Sequence, residues 1–247
     1  MRKLHRAKER EKQNLILLEG TNLIKAVVQL NYSLVTVCHT SAWRDRNQDL
    51  FAALSSCSQR IELVSPEVLR AIATTVNPDG VVATTTKKVS PKLTLDRIDL
   101  ALVLERLQDP GNLGTIVRTA VATNTDGIWL SQDSVDPESP KVLRASAGEW
   151  FKLPIAVSEN LPAIIEDFRD RKGQVIATVP GATMTYWEID FNRPTLILLG
   201  NEGAGLSDRL IDLADIKVNI PLAGEVESLN VAIAAALLLY EARRQKK

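Results

Sequence analysis

The sequence predicts an α/β protein whose C-terminal part is a parallel sheet covered by helices on both faces. Short apolar runs of strand length alternate with helix-length stretches along most of the chain, which is typical of this architecture. The run from Asn219 to Gln245 combines a strand end, a glycine-bearing turn and an apolar helix, and two similar polar turns precede it. Because strand-to-helix turns of a parallel sheet share one edge, these distant segments are expected to converge on one ligand.

The composition is that of a soluble globular protein with room for two domains. The chain has 247 residues, of which 45% are hydrophobic and 24% charged, so extended disorder is not expected. Thirty Lys and Arg residues balance thirty Asp and Glu residues. The net charge therefore gives no argument for a nucleic-acid partner, which has to be argued from local charge.

Local positive charge is concentrated at the two ends of the chain. The first twelve residues carry a net charge of +4, and four further cations lie in the last five residues. A solvated terminus and a segment that contacts phosphate groups are both consistent with this charge. The cations are Arg2, Lys3, Arg6, Lys8, Arg10 and Lys12, followed at the other end by Arg243, Arg244, Lys246 and Lys247.

Cysteine and histidine are too few for a disulfide scaffold or a metal centre. The chain has only Cys38, Cys57, His5 and His39, so we expect reduced thiols and no metal. The N-terminus lacks an apolar run of signal-peptide length, and the apolar run from Val231 to Tyr240 is too short to span a bilayer. We therefore expect a cytoplasmic protein with no membrane partner.

The pattern divides the chain into two domains and a linker. Residues 1–90 alternate apolar runs with helix-like stretches and are predicted to form a small α/β domain. The stretch from Lys87 to Asp96 is polar, contains Pro91 and lacks periodicity, which places a linker at residues 91–97. Residues 98–247 resume the alternation with longer elements. Their predicted strands are Leu100–Leu104, Ile128–Leu130, Ile155–Val157, Val175–Thr178, Thr195–Leu199 and Lys217–Ile220.

The first of the three turns lies in ERLQDPGNLGTIVRTA, where a strand leads into a helix that runs to about Thr123. Arg118 lies off the apolar stripe of this helix, so its guanidinium faces a cleft, a partner subunit or solvent. Asn112 either caps the helix or has a functional role. The predicted stripe consists of Leu113, Ile116, Val117, Ala120 and Val121.

The second turn, in LILLGNEGAGLSD, holds three glycines within six residues around Asn201 and Glu202. Such a turn lets the backbone approach a ligand and offer bare N–H and C=O groups. In the third turn, Ser228 is predicted to be the N-cap of the apolar final helix. Asn230 is then expected in the first helical turn, where a ligand or a second chain would supply partners for its amide.

The three blocks PGNLGTIVRTA, LLGNEGAGLS and IPLAGEVESLNVAIAAA, in this order and spacing, resemble the motifs of the SpoU (TrmH-like) RNA ribose 2′-O-methyltransferases of the SPOUT superfamily. The resemblance covers Leu100 to Arg244, and Leu15 to Val89 more loosely resembles the L30e-like RNA-binding domain often fused ahead of it. It implies an α/β-knot methyltransferase domain with a C-terminal trefoil knot, an obligate homodimer and an active site at the subunit interface. It also implies S-adenosylmethionine as cofactor and a structured RNA, expected to be ribosomal RNA, as substrate.

The resemblance also implies a role for each matching residue. Backbone groups of four residues are expected to hold the cofactor, namely Leu199, Gly200, Ile220 and Leu229. Arg118 is expected to act on the ribose 2′-hydroxyl, and the permanent positive charge of a guanidinium favours charge stabilisation over proton abstraction. The full expected catalytic set is Arg118, Asn112, Ser228, Asn230 and Glu202. The chain departs from the family pattern at Glu149, Glu225 and Ala232.

Several alternatives stay open. The target can be transfer RNA in place of ribosomal RNA, and the target nucleotide is not readable from the sequence. A non-catalytic RNA-binding or ribosome-assembly factor is a different class of function, although the intact set of polar site residues argues against it. A nicotinamide-dependent enzyme is disfavoured because the first turn lacks the spaced glycines and the following acidic residue of a dinucleotide site.

Overall fold

A computed structural model of the chain describes residues 1–87, 93–224 and 226–246. Pro91, which belongs to the predicted linker, and Glu225 lie outside the described residues. The N-terminal elements are α1 (Ala7–Gln13), β1 (Leu15–Glu19), α2 (Thr21–Gln29), β2 (Thr36–His39), α3 (Ser41–Arg46), α4 (Gln48–Cys57), β3 (Ile61–Leu63), α5 (Pro66–Ile72) and β4 (Val81–Thr86).

The remaining elements alternate strands and helices as the sequence predicts. They are β5 (Leu100–Leu104), α6 (Pro110–Ala122), β6 (Gly127–Ser131), α7 (Pro140–Ala145), β7 (Ile155–Ser158), α8 (Leu161–Asp170), β8 (Gln174–Thr178), β9 (Met184–Thr185), β10 (Thr195–Leu199), α9 (Asp208–Leu213), β11 (Ile216–Asn219) and α10 (Val231–Gln245). Each predicted strand is observed to within one residue at either end, and the two-residue β9 is an addition. In the part of the chain that the structure describes, every helix is too short or too polar to cross a membrane.

The first compact unit comprises Met1–Val89 and Asp136–Phe151. Its four-stranded sheet has the order β1-β4-β2-β3, in which β2 and β3 are parallel and the other neighbours antiparallel. The sequence placed residues 136–151 in the C-terminal domain, whereas the structure packs them with this unit. A buried carboxylate accounts for part of this packing: Glu19 is 3% exposed, and Arg144 of α7 donates to its Oε2 at 2.8 Å, because a buried charge needs an opposite partner.

The second unit, Ser90–Val135 with Lys152–Lys247, is built around a seven-stranded sheet. The strand order is β7-β6-β5-β10-β8-β11-β9, and each neighbouring pair is parallel, which confirms the predicted parallel sheet. Strands β5 and β10 are buried along their whole length, as expected for central strands covered on both faces. Their side chains join the core with residues of α8 such as Ile165 and Phe168.

Candidate active site

A cavity of about 670 Å³ opens at the carboxyl edge of the second sheet, where β10, β8 and β11 end side by side. The turns after these three strands and the first turns of α10 line it. All four predicted cofactor-binding residues are among the lining residues: Leu199, Gly200, Ile220 and Leu229. A position beyond the carboxyl ends of parallel strands is where ligands bind in open α/β sheets. The structure therefore brings two of the three predicted turns together around one space.

The third wall of the cavity differs from the sequence prediction. The turn after β8, with Thr178, Val179, Pro180 and Gly181, lines the cavity, whereas no residue of the turn before α6 does so. The strand order explains this difference, because β8 lies between β10 and β11, and β5 lies on the far side of β10. The signal that sequence reasoning missed is a Pro-Gly pair directly after an apolar strand.

The glycine-rich turn after β10 is held closed by its own backbone. Asn201 and Gly205 exchange two backbone hydrogen bonds of 3.0 Å, and the Asn201 side chain accepts from the N–H groups of Gly203 and Ala204 at 2.9 Å. A Cβ atom at Gly200 would lie 2.1 Å from the Gly205 carbonyl carbon, so only glycine fits there. Asn201, to which the sequence analysis assigned no role, is thus the residue that shapes this turn.

Glu202 extends from this turn to the turn before α6. Its Oε1 accepts from the Asn112 side chain at 3.0 Å and from the Asp109 N–H at 3.3 Å, and its Oε2 accepts from the Gln108 N–H at 3.4 Å. Burial by itself would raise the pKa of Glu202, but these hydrogen bonds outweigh burial and hold the pKa below its usual range. Glu202 is therefore an ionised carboxylate at neutral pH.

Asn112 does not cap α6, so the capping interpretation is wrong. Asp109 is the N-cap, and its Oδ1 accepts from the Asn112 N–H at 2.8 Å. Asp is as good an N-cap residue as Asn, and Pro110 then occupies the first helical turn. The Asn112 side chain is left to bond Glu202 and Asn230.

The final helix begins later than predicted, so Ser228 is not its N-cap. Asn230 is the N-cap, with non-helical backbone at ψ 135° and its Oδ1 accepting from the Ala232 N–H at 2.9 Å. The expected need for outside partners is also corrected, because Asn230 Nδ2 donates to Asn112 Oδ1 at 2.9 Å. Ser228 is exposed and lines the cavity, which leaves its hydroxyl available to a ligand.

Arg118 lies on the exposed side of α6, off the buried stripe, as predicted. Its guanidinium makes no hydrogen bond or ion pair with any residue that the structure describes, and Arg118 is not among the residues that line the cavity. The observed stripe contains Gly114 in addition to four predicted residues, while Val121 is only half-buried. The structure thus joins Asn112, Glu202 and Asn230 by hydrogen bonds and leaves the guanidinium free to meet a substrate.

Chemically, the site combines a small-molecule cavity with a polar cluster at its edge. The apolar side chains of Leu199, Leu206, Val218 and Ile220 suit a flat heterocycle, and the glycine-bearing turns offer backbone polar groups.

A family model described as the SpoU rRNA Methylase family matches residues 99–240, more than half of the chain. The chain belongs to the SpoU rRNA methylase family. The model of an MRM3-like substrate binding domain matches residues 1–83 of this SpoU methylase.

The SpoU methylase is similar to several proteins over almost its full length. It is 51% identical to an uncharacterized tRNA/rRNA methyltransferase of Synechocystis, covering 100% of this chain and 90% of the relative. It is 31% identical to the 23S rRNA (guanosine(2553)-2′-O)-methyltransferase RlmP of Bacillus subtilis, covering 98% and 94%. An AdoMet-bound rRNA methyltransferase from Sinorhizobium meliloti has a TM-score of 0.82 at 32% identity, with 98% and 92% covered.

Proposed function

We propose that this protein transfers a methyl group from S-adenosylmethionine to a ribose 2′-hydroxyl of ribosomal RNA in the cytoplasm. The observation that carries the proposal is the cavity at the carboxyl edge of the parallel sheet, which is lined by all four expected cofactor residues and adjoins Asn112, Glu202 and Asn230. Membership of the SpoU rRNA methylase family and the similarity to RlmP support the reaction and the substrate class. The similarity to an AdoMet-bound structure supports the cofactor.

The residues of the cavity fit S-adenosylmethionine. A volume of about 670 Å³ lies within the usual range of small-molecule sites. The apolar wall suits adenine, and Gly181 and Gly205, with φ of +77° and +67°, bring backbone close to the cavity where an L side chain would be strained. Asn219, another lining residue, has a buried Oδ1 without a partner among the described residues. A buried acceptor of this kind favours a ligand with N–H or O–H donors.

The bound cofactor supplies an electrophilic methyl group, so the protein has to orient the ribose hydroxyl and manage the charge that develops on its oxygen. Arg118 suits the second task, because a guanidinium stays protonated and can hold an alkoxide or a phosphate by paired hydrogen bonds. Asn112 and Asn230, fixed by Glu202, and the exposed Ser228 are placed to orient the RNA backbone. In this proposal the four residues bind and position, and Arg118 stabilises charge.

The RNA is proposed to contact the N-terminal unit as well. The match of residues 1–83 to a substrate binding domain model supports an L30e-like RNA-binding role. Five cations of the first twelve residues are exposed, and their charged side-chain groups make no hydrogen bond or ion pair with any described residue: Arg2, Lys3, Arg6, Lys8 and Lys12. Arg10, by contrast, is buried, donates to the Leu4 carbonyl at 2.7 Å and pairs with Asp136. The exposed cations therefore lie on an anchored segment suited to phosphate groups.

The C-terminal trefoil knot and the homodimer are further parts of the proposal. The likeness to the solved rRNA methyltransferase over 98% of the chain supports the knot. The dimer is supported by an exposed apolar face on α10. On this face Ile233 is 51% exposed and Tyr240 is 56% exposed, and Tyr186 and Leu237 lie beside them. Such a face on a helix favours association with a second copy. Sedimentation of wild type and of Ile233→Glu tests it, and a monomeric wild type would contradict it.

The function is tested by mapping 2′-O-methyl groups in total RNA from cells with and without this protein. We expect one ribosomal RNA position to lose its methyl group and to regain it when purified protein and S-adenosylmethionine are added to the isolated RNA. A changed position in transfer RNA would support the alternative target, since the name of the Synechocystis relative includes both tRNA and rRNA. No change at any position, with cofactor binding also absent, would support the non-catalytic alternative.

A further inference from the structure

The side chains that line the proposed cofactor cavity give it a negative charge. Its lining residues include two carboxylates, Glu202 and Glu227, and, within the described residues, no lysine, arginine or histidine. A cleft lined by one sign of charge concentrates ligands of the opposite sign. The cavity is therefore biased toward a ligand that carries net positive charge.

The two carboxylates differ in what they contact. Glu202 is held by the Asn112 side chain and by two backbone N–H groups. Glu227 is exposed at the cavity wall and makes no hydrogen bond or ion pair with any other part of the chain that the structure describes. It directly precedes Ser228 and Leu229, which also line the cavity. Its negative charge is thus uncompensated and available to a bound molecule.

Methyl transfer changes the charge of the cofactor. S-adenosylmethionine carries a sulfonium, which the neutral thioether of S-adenosylhomocysteine lacks, and the two molecules are otherwise alike apart from the methyl group. We propose that Glu227 makes the cavity select S-adenosylmethionine over S-adenosylhomocysteine by charge, so that transfer of the methyl group weakens binding of the product. This inference rests on the proposed cofactor and adds a residue that determines its specificity.

The size of the effect follows from exposure. An exposed carboxylate interacts with a nearby charge through a high effective dielectric constant, and salt screens the attraction further. We therefore expect Glu227 to change the preference by about threefold to tenfold. A hydrogen bond from Glu227 to a ribose hydroxyl would have a different signature, because both molecules share that ribose and would gain equally.

The test measures the dissociation constants of both molecules by titration calorimetry. In Glu227→Gln, we expect the ratio of the constant for S-adenosylhomocysteine to that for S-adenosylmethionine to fall about threefold or more. The constant for S-adenosylhomocysteine should stay within about twofold of wild type, which also reports an intact cavity. Glu166→Gln is the matched control, since Glu166 is exposed on α8 and does not line this cavity, and it should leave the ratio unchanged.

Charge reversal and a charged analogue sharpen the test. Glu227→Lys should lower the ratio more than Glu227→Gln. In sinefungin an amine keeps the positive charge near the sulfur position, so its dissociation constant should rise in the variants as that of S-adenosylmethionine does. An unchanged ratio, or equal weakening of both molecules, would overturn the inference while leaving the proposed function intact. Failure of the wild type to bind either molecule would overturn the proposed cofactor and this inference with it.

Discussion

Asn230 donates from its Nδ2 to Oδ1 of Asn112 at 2.9 Å, which joins the N-terminus of α10 to the first turn of α6. The hydrogen bonds continue on both sides, from Asn112 Nδ2 to Glu202 Oε1 and from the Ala232 N–H to Asn230 Oδ1. One end of this series is a carboxylate that only accepts, and the other is a backbone N–H that only donates. The orientation of both amides is therefore fixed, and three distant segments form one hydrogen-bonded unit.

Replacing Asn112 by Asp tests this unit with the smallest change of shape. Asn112→Asp puts an oxygen against Glu202 Oε1, where the wild type has an N–H donor, so a hydrogen bond becomes a repulsion between carboxylates. We expect the free energy of unfolding at neutral pH to fall by about 1 kcal/mol, because the pair is partly exposed. The loss should shrink in acid, where one carboxyl takes a proton. Urea unfolding measures both effects.

The matched control is Asn77→Asp, which makes the same change at an exposed residue of the N-terminal unit. It should alter stability by less than about 0.5 kcal/mol. Equal stability of Asn112→Asp and the wild type would mean that the series of hydrogen bonds does not exist in solution. Methyl transfer should also fall in Asn112→Asp. The introduced carboxylate is repelled by Glu202 and no longer presents a fixed acceptor to Asn230 Nδ2.

Glu202 makes stability depend on pH in a definite direction. Its pKa in the folded protein is lowered, because hydrogen bonds to the carboxylate outweigh the effect of burial. A group of this kind adds stability above its unfolded pKa, and this contribution is lost as the pH falls through the folded value. The wild type should therefore be more stable than Glu202→Gln at neutral pH, and this difference in the free energy of unfolding should shrink in acid. A difference that stays constant across this range, by urea unfolding, would contradict the assignment.

Gly200 tests the close packing of the glycine-rich turn. Gly200→Ala places a Cβ atom 2.1 Å from the Gly205 carbonyl carbon and 2.2 Å from the Leu206 nitrogen, so the backbone has to move. We expect the free energy of unfolding to fall by about 3 kcal/mol. We also expect cofactor binding to be lost. Gly203→Ala is the control in the same turn, because the nearest atom to its Cβ is 3.7 Å away. Similar thermal midpoints for the two variants would refute this account.

The limits of the sequence prediction have physical causes. The strands and the parallel sheet were predictable because almost wholly apolar runs such as β5 and β10 are typical of a sheet buried on both faces. The third wall of the cavity was not predictable, since it depends on β8 lying between β10 and β11, and strand order leaves no local mark in a sequence. The N-cap of the final helix was predicted at Ser228 and is observed at Asn230. Both residue types suit an N-cap, so only the course of the backbone distinguishes them.

Replacing Arg118 should impair methyl transfer without affecting cofactor binding. It is exposed and lies outside the residues that line the cavity, so Arg118→Ala should leave the dissociation constant of S-adenosylmethionine within about twofold of wild type. Methyl transfer to RNA should fall by about 100-fold or more, because the charge on the developing alkoxide is no longer stabilised. Arg118→Lys keeps the charge without the paired donors and should recover only part of the rate. Normal turnover of Arg118→Ala would exclude the catalytic assignment.

The basic N-terminal segment predicts a salt-dependent contribution to RNA binding. Lys8 and Lys12 are one helical turn apart on α1, and both are exposed and unpaired within the described residues. If each neutralises a phosphate, the double variant Lys8→Ala/Lys12→Ala should weaken binding and reduce the slope of log K against log salt by about 1–2. Filter binding to ribosomal RNA fragments at several salt concentrations measures this slope.

The control removes two cations that already have partners. Arg169 and Arg171 are exposed on and just after α8 but pair with Asp215 and with Asp96 and Asp167, so their loss should leave the slope nearly unchanged. Thermal unfolding of Lys8→Ala/Lys12→Ala should match wild type, because the anchoring residue Arg10 is untouched. The control variant should unfold within a few degrees of wild type, because it loses only exposed ion pairs. An unchanged slope in Lys8→Ala/Lys12→Ala would make the N-terminal segment a solvated surface, and the RNA contacts would then have to come from other parts of the protein.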